Sequence, residues 1–239
     1  MSTAIITGGG KRVGQSISLF LATLGYNIII TYKDSLSEAE KTKIEVEKSG
    51  RKCHLIKCDL SDISDVRTLI EYSYSIENDV SLLINNASVF NKNDLKDTTD
   101  NQLLENYYVN FFSPYILTRD FANVIQKGTI INIIDSKAEK NGFKYSAYTL
   151  SKKSLFDLTY QSAVELGPDI RVNGIAPGFV LAPENDDADY FARLSENNPL
   201  HKSCSLDDIN NSIKYILTNT FVTGQIMYLD GGKHLVTGE

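Results

Sequence analysis

Tyr148 and Lys152 stand four residues apart in a stretch with helical periodicity, so they share one face. A phenol can give or take a proton, and a neighbouring ammonium favours its phenolate form. Such pairs are common on helices and need partners before they mean chemistry. Asp135, at the end of an apolar run, and Asn110, inside the longer helical pattern before it, supply two more polar groups. His54, His201 and His234 show no metal-ligand spacing, and neither do Cys53, Cys58 and Cys204. No metal is expected, and the thiols are expected to be unpaired in a reducing cytosol.

A second constellation opens the chain. Thr7-Gly8-Gly9-Gly10-Lys11-Arg12-Val13-Gly14 follows an apolar run and leads into a helical pattern. Glycines there permit a tight turn and let backbone N–H groups approach a pyrophosphate at the helix N-terminus. Gly8, Lys11, Arg12, Val13 and Gly14 are therefore expected to hold a dinucleotide. The second apolar run ends in Thr31-Tyr32-Lys33-Asp34-Ser35. An acidic residue there would bind the ribose 2′-hydroxyl of NAD, whereas cations accept the 2′-phosphate of NADP. Arg12, Lys33 and Ser35, beside Tyr32, favour NADPH; Asp34, twenty residues past Gly14, is the counter-evidence. Asp59 and Leu60 follow the third run, and Asn86, Ala87 and Ser88 the fourth. Ligands of open α/β sheets bind at such strand ends, although Asn and Asp also form ordinary turns.

Elements that could hold these residues alternate along the whole chain. Runs at Ala4–Thr7, Asn27–Tyr32, Lys52–Lys57, Ser81–Ile84, Thr129–Ile134, Ile170–Ile175 and Gln225–Leu229 read as strands, most of them apolar on both faces. Helical patterns lie between them at Val13–Leu24, Leu36–Ser49, Ile63–Glu77, Gln102–Gln126, Ala147–Leu166 and Leu206–Leu217. This order predicts a single-domain α/β fold over residues 1–239: a Rossmann-type doubly wound, seven-stranded parallel sheet with helices on both faces. Pro177–Pro199 breaks the alternation with an acidic segment, either a solvated loop or a mobile flap over the site.

Bulk properties exclude several partners. The 239 residues, 42% hydrophobic and 23% charged, suit one soluble domain. A net charge of −6 argues against nucleic acid or an anionic membrane surface. No apolar run is long enough to span a bilayer, and the N-terminus has no signal-peptide pattern, so a cytoplasmic location is expected.

The motifs TGGGKRVG, NNA, Asn110, Tyr148-x-x-x-Lys152, Pro177-Gly178 and Thr223-Gly224…Asp230-Gly231-Gly232 resemble, in order, those of the short-chain dehydrogenase/reductase family. The resemblance covers essentially the whole chain. It implies a Rossmann-type fold with Tyr148 as acid, Lys152 binding the nicotinamide ribose and tuning the tyrosine, and Asn110 supporting a water relay. It also implies cofactor contacts from Pro177 and Gly178, and a homotetramer built on the helices around Gln102–Gln126 and Ala147–Leu166.

Two departures carry further information. Family members commonly have glycine where Arg12 stands, and serine thirteen residues before the tyrosine, where this chain has Asp135. With Asn85-Asn86-Ala87-Ser88-Val89-Phe90, these departures resemble pteridine reductases and dihydromonapterin reductases. That resemblance implies that Arg12 touches both cofactor and pterin, that Phe90 stacks the pterin against the nicotinamide, and that Ser88 hydrogen-bonds it. Asp135, Tyr148 and Gly178 complete the expected substrate contacts. A pterin presents C=N bonds, so a proton at ring nitrogen must accompany hydride transfer, and an Asp/Tyr pair can supply it. The reading is reduction of a dihydropterin (dihydromonapterin, dihydrobiopterin or dihydrofolate type) by NADPH. A carbonyl reductase acting on 3-oxoacyl thioesters is the alternative, and a non-catalytic NADP-binding sensor the second alternative.

Overall fold

The computed structural model describes residues 2–181 and 197–236. Most of the segment expected as a flap, 177–199, lies outside the described residues.

Seven strands form one parallel sheet in the order β3-β2-β1-β4-β5-β6-β7. They are β1 (Thr3–Ile6), β2 (Asn27–Tyr32), β3 (Cys53–Lys57), β4 (Val80–Asn85), β5 (Gly128–Ile133), β6 (Ile170–Pro177) and β7 (Ile226–Leu229). Side chains alternate between the faces, and both faces are greasy. Ala4, Ile6, Ile28, Ile30, Leu82, Ile84, Ile131 and Ile133 pack on one side. Ile5, Ile29, Leu83, Ile130 and Val172 pack on the other. In register, Ile5 lies between Ile29 and Leu83. Each buried Ile, Leu or Val among them contributes about 1.5–3 kcal/mol, which drives helices onto both faces.

On the first face lie α1 (Arg12–Thr23), α2 (Leu36–Lys48) and α7 (Leu206–Thr218), through Ile17, Leu21, Ala39, Val46 and Ile213. On the second lie α3 (Ile63–Ile76), α5 (Ser113–Val124) and α6 (Ser146–Glu165), through Val66, Ile70, Leu117, Phe121 and Ala163. The strand order reverses between β1 and β4, so a crevice opens at their carboxyl ends.

One expected element is not continuous. The pattern at Gln102–Gln126 folds as α4 (Asp100–Tyr107), a π-turn over Tyr108–Phe112, and then α5. Pro114 stands in the first turn of α5 and has no N–H to give to the carbonyl of Asn110, four residues earlier. The wider π-turn takes up that misfit and puts Asn110 at the break.

Cys53, Cys58 and Cys204 are free, and burial pushes each thiol up to about 12. No helix among the described residues is long and apolar enough to cross a membrane.

Candidate active site

The glycine turn is held by exact fit more than by flexibility. Gly8 adopts φ +62°, which favours glycine. A Cβ on Gly14 would stand 2.2 Å from the Gly8 carbonyl oxygen and 2.7 Å from Asn86 Nδ2. Asn86 in turn donates from Nδ2 to the Thr7 carbonyl at 2.9 Å. The Thr7 hydroxyl oxygen accepts from the N–H groups of Asn86 and Ala87 at 2.9 and 3.0 Å, stitching the end of β1 to the end of β4. The loops on both sides of the crevice are thus one hydrogen-bonded unit.

That unit forms one wall of a cleft of about 690 Å³. The expected cofactor residues Gly8, Lys11, Arg12, Val13 and Gly14 line it from the first turn, and Tyr32, Lys33 and Ser35 from the end of β2. Asp59, Leu60, Asn86, Ala87 and Ser88 line it from the next two strand ends, and Tyr148, Lys152 and Pro177 from the far side. Thr31 and Val89, from the motif stretches at the ends of β2 and β4, line it as well, as does Asp34, the counter-evidence to NADPH; Glu38, Cys58, Glu105 and Val109 line it without a motif that marks them. Gly178 is not part of the wall; its N–H donates to the Leu229 carbonyl at 3.0 Å, and a Cβ there would stand 3.1 Å from Asp230.

The donor set suits a dinucleotide. Lys11 caps α1 without a side-chain hydrogen bond to its first turn, where backbone N–H groups suit an anion. Arg12 and Lys33 bring two cations to the adenosine end, where Lys33 Nζ pairs with Asp59 at 2.9 Å. Arg12 holds φ +53°, a conformation in which glycine is at ease and other residues are strained by about 1–2 kcal/mol. The family's glycine position is therefore kept in shape here by an arginine.

At the other end, β5 delivers two groups in succession. The Ile133 carbonyl accepts from Lys152 Nζ at 2.9 Å, and Asp135 Oδ2 accepts from the Tyr148 hydroxyl at 2.6 Å. Asp135 Oδ1 accepts from the Lys137 N–H at 2.7 Å, capping a short 3₁₀ turn over Ser136–Glu139 and fixing the carboxylate. The α6 side is anchored by a buried relay in which Asn85 donates to Asn132 at 2.8 Å and Asn132 to Thr159 at 2.9 Å.

Burial and neighbouring charge shift the two groups of the pair in opposite directions. Burial pushes the Tyr148 phenol well above its usual value, and the Asp135 charge and hydrogen bond push it further. A Tyr/Lys pair alone predicts the opposite direction; burial first, and then the carboxylate that accepts the phenol's hydrogen bond, reverse it. Burial brings Lys152 down to about 8, against a raising effect from Asp135.

Asn110 does not face the cleft through its side chain. Its Oδ1 accepts from Ser88 Oγ and the Val89 N–H, both at 3.0 Å, while Nδ2 donates to the Val89 carbonyl at 3.1 Å and to Ser151 Oγ at 3.0 Å. It clamps the loop after β4 to α6. Phe90 also lies outside the cleft wall. Its ring stacks on Tyr145 at 4.4 Å and 12°, and meets Tyr148 edge-on at 4.7 Å. Tyr145, which precedes α6 at φ +57°, escaped the sequence reading, as did Lys137, whose Nζ is 4.8 Å from the Phe90 centroid and 4.6 Å from that of Tyr145. The signal was proximity alone: three residues before Tyr148, and two after Asp135.

Residues 10–234 match the family described as enoyl-(acyl carrier protein) reductase. The chain is 31% identical over 240 residues to the uncharacterized oxidoreductase YhxC of Bacillus subtilis, covering 96% of this chain and 84% of that one. It is 27% identical to dihydromonapterin reductase of an Enterobacter species, covering 97% and 96%. It superposes with TM-score 0.94 on FolM alternative dihydrofolate reductase 1 of Brucella suis in complex with NADP, at 32% identity and coverage of 100% and 97%. The chain belongs to the short-chain dehydrogenase/reductase family and is an oxidoreductase built for a nicotinamide cofactor.

Proposed function

We propose that the enzyme uses NADPH to reduce a dihydropterin to its tetrahydro form. The observation that carries this reading is the hydrogen bond from Tyr148 to Asp135 at 2.6 Å, at the place where carbonyl-reducing relatives are expected to have serine. A ketone substrate calls for a neutral hydroxyl donor to its oxygen, and a carboxylate there would repel the developing negative charge. A ring C=N bond instead becomes basic at nitrogen as the adjacent carbon is reduced, and it needs a proton at that nitrogen. The dihydromonapterin reductase relative and the FolM structure support the same substrate class.

NADPH, when bound, supplies the hydride. Arg12, Lys33 and Ser35 would hold the 2′-phosphate, since they line the cleft beside the end of β2. Lys152 has one N–H engaged by the Ile133 carbonyl, and its remaining donors suit ribose hydroxyls. Tyr148 keeps its proton across neutral pH because burial and Asp135 raise its pKa. The proton shared by Tyr148 and Asp135 passes to the ring nitrogen while the C=N bond becomes C–H and N–H. Asn110 keeps Ser88 and Val89 in place for the ligand, and Phe90, paired with Tyr145 and edge-on to Tyr148, offers a flat aromatic surface beside the cleft.

A cytoplasmic homotetramer belongs to the same reading. Tyr115 on α5 and Tyr160 and Val164 on α6 are exposed apolar side chains suited to subunit contacts.

The deciding experiment follows NADPH oxidation with dihydropterins, dihydrofolate and an acetoacetyl thioester. Oxidation with a dihydropterin is expected. Reduction of the thioester while every dihydropterin is ignored would overturn the proposal in favour of a carbonyl reductase.

A further inference from the structure

Two lysines next to the reacting pair have no role in the chemistry above. Lys137 is partly buried, two residues beyond Asp135. Its Nζ approaches three ring centroids, those of Tyr145 at 4.6 Å, Phe90 at 4.8 Å and Phe179 at 5.6 Å. Lys233 comes from the opposite end of the chain, and its Nζ stands 5.4 Å from the same Phe179 ring.

Lys233 is brought there by a built turn. Asp230, almost fully buried, accepts from the N–H groups of Gly232 and His234 at 3.0 and 2.8 Å. Lys140 Nζ then donates to the Lys233 and Val236 carbonyls, tying the C-terminal turn to the strand end that carries Asp135. Both ammonium groups are held, yet among the described residues neither forms an ion pair or donates a side-chain hydrogen bond. Aromatic faces attract a cation but leave its N–H donors unanswered. Burial pushes the Lys137 pKa down, and the Lys233 charge lowers it further, while Asp135 acts the other way. Two like charges converging on one ring repel each other, and an anion between them would relieve that repulsion.

We propose that Lys137 and Lys233 form an anion-recognition subsite beside Tyr148 and Asp135, so that the preferred substrate is a dihydropterin with an acidic side chain. This rests on the dihydropterin reading and names the class within it. A ring seated beside the Phe90–Tyr145 pair would present one edge to the Asp135–Tyr148 proton and direct the side chain toward Phe179. A carboxylate or a phosphate meets the same two ammonium groups there.

The test compares kcat/KM for dihydrofolate, for a dihydropterin with a phosphorylated side chain, and for one with a neutral hydroxyalkyl side chain. The unmodified enzyme should favour an acidic substrate over the neutral one by about tenfold or more, the scale of one charge-assisted hydrogen bond. Whichever acidic substrate leads identifies carboxylate or phosphate as the natural group. Lys137→Met and Lys233→Met should each bring the ratio toward one, through KM more than kcat, and Lys137→Arg should restore it. A ratio near one in the unmodified enzyme, or an equal loss on acidic and neutral substrates in both Met variants, overturns the subsite and leaves pterin reduction intact. If no dihydropterin is reduced, the function reading falls and the subsite is judged by calorimetry on the NADP-loaded protein. Folate binding tighter than that of a neutral pterin, and weakened by Lys137→Met, keeps the subsite; equal binding, or none, removes it.

Discussion

The Tyr148 hydroxyl donates a hydrogen bond to Asp135 at 2.6 Å, and the other oxygen of that carboxylate is pinned by the Lys137 N–H at 2.7 Å. The carboxylate therefore cannot rotate away without uncapping the turn after β5. A phenol whose proton is held this way is an acid kept in its protonated form, which is what the proposed dihydropterin reduction requires. Removing either partner should be felt at once. Tyr148→Phe keeps the ring and should slow dihydropterin reduction about 10²-fold or more, the scale of a general acid. Asp135→Ser should slow it on a similar scale and lower the Tyr148 pKa. Steady-state rates across pH check both, and full activity in Tyr148→Phe would mean that the proton comes from elsewhere.

Lys152 predicts two opposite responses to pH. Its pKa falls from 10.5 to about 8 on folding, so the unfolded chain holds more protons between those values. Its contribution to stability therefore rises as pH climbs from about 8 to 10.5, and is lost as pH falls through about 8. Cofactor affinity should move the other way, weakening above pH 8 as the ammonium loses its charge. Denaturant midpoints and cofactor titrations across this range, compared with Lys152→Met, separate the two effects; flat profiles in the unmodified enzyme would contradict them.

Arg12 tests whether strain is kept for binding. Arg12→Gly relieves a left-handed strain of about 1–2 kcal/mol. It also loosens the unfolded chain, which offsets about 0.4–1 kcal/mol of that gain. Stability should rise by no more than about 1.6 kcal/mol, while preference for NADPH over NADH should fall about tenfold or more. Lys33→Ala should narrow the same preference with little effect on stability, because its pair with Asp59 is exposed. Calorimetric titration with both cofactors decides; equal affinity in the unmodified enzyme sinks the assignment.

Gly14 and Gly25 should respond differently to alanine. A Cβ at Gly14 meets the Gly8 carbonyl oxygen at 2.2 Å, so Gly14→Ala should destabilise by about 1–3 kcal/mol and weaken cofactor binding. Gly25 holds φ +97° but has nothing within 4 Å of its Cβ position, so Gly25→Ala should cost backbone strain alone and leave cofactor affinity unchanged. Denaturation with and without cofactor distinguishes them.

The sheet was legible from local pattern because burial on both faces requires continuous apolar runs. Ile28–Ile30 and Leu82–Ile84 could be little else in a chain of this length. The glycine turn and the Tyr148–Lys152 pair were legible for a related reason: their geometry is fixed by near neighbours in sequence. The π-turn at Tyr108–Phe112 was not, although Pro114 signals it, because one widened turn barely disturbs an apolar period.

Sequence alone thus determined the strands, the cleft-forming turns and the residue types proposed to react. Tertiary structure alone decided that Asn110 clamps loops, that Tyr145 covers a face of Phe90, and that Lys137 and Lys233 meet at Phe179. The reason is physical. Local periodicity encodes which way a side chain leaves its own backbone, whereas these contacts depend on how β4, β5, β6 and β7 are ordered in the sheet and on where their loops then converge.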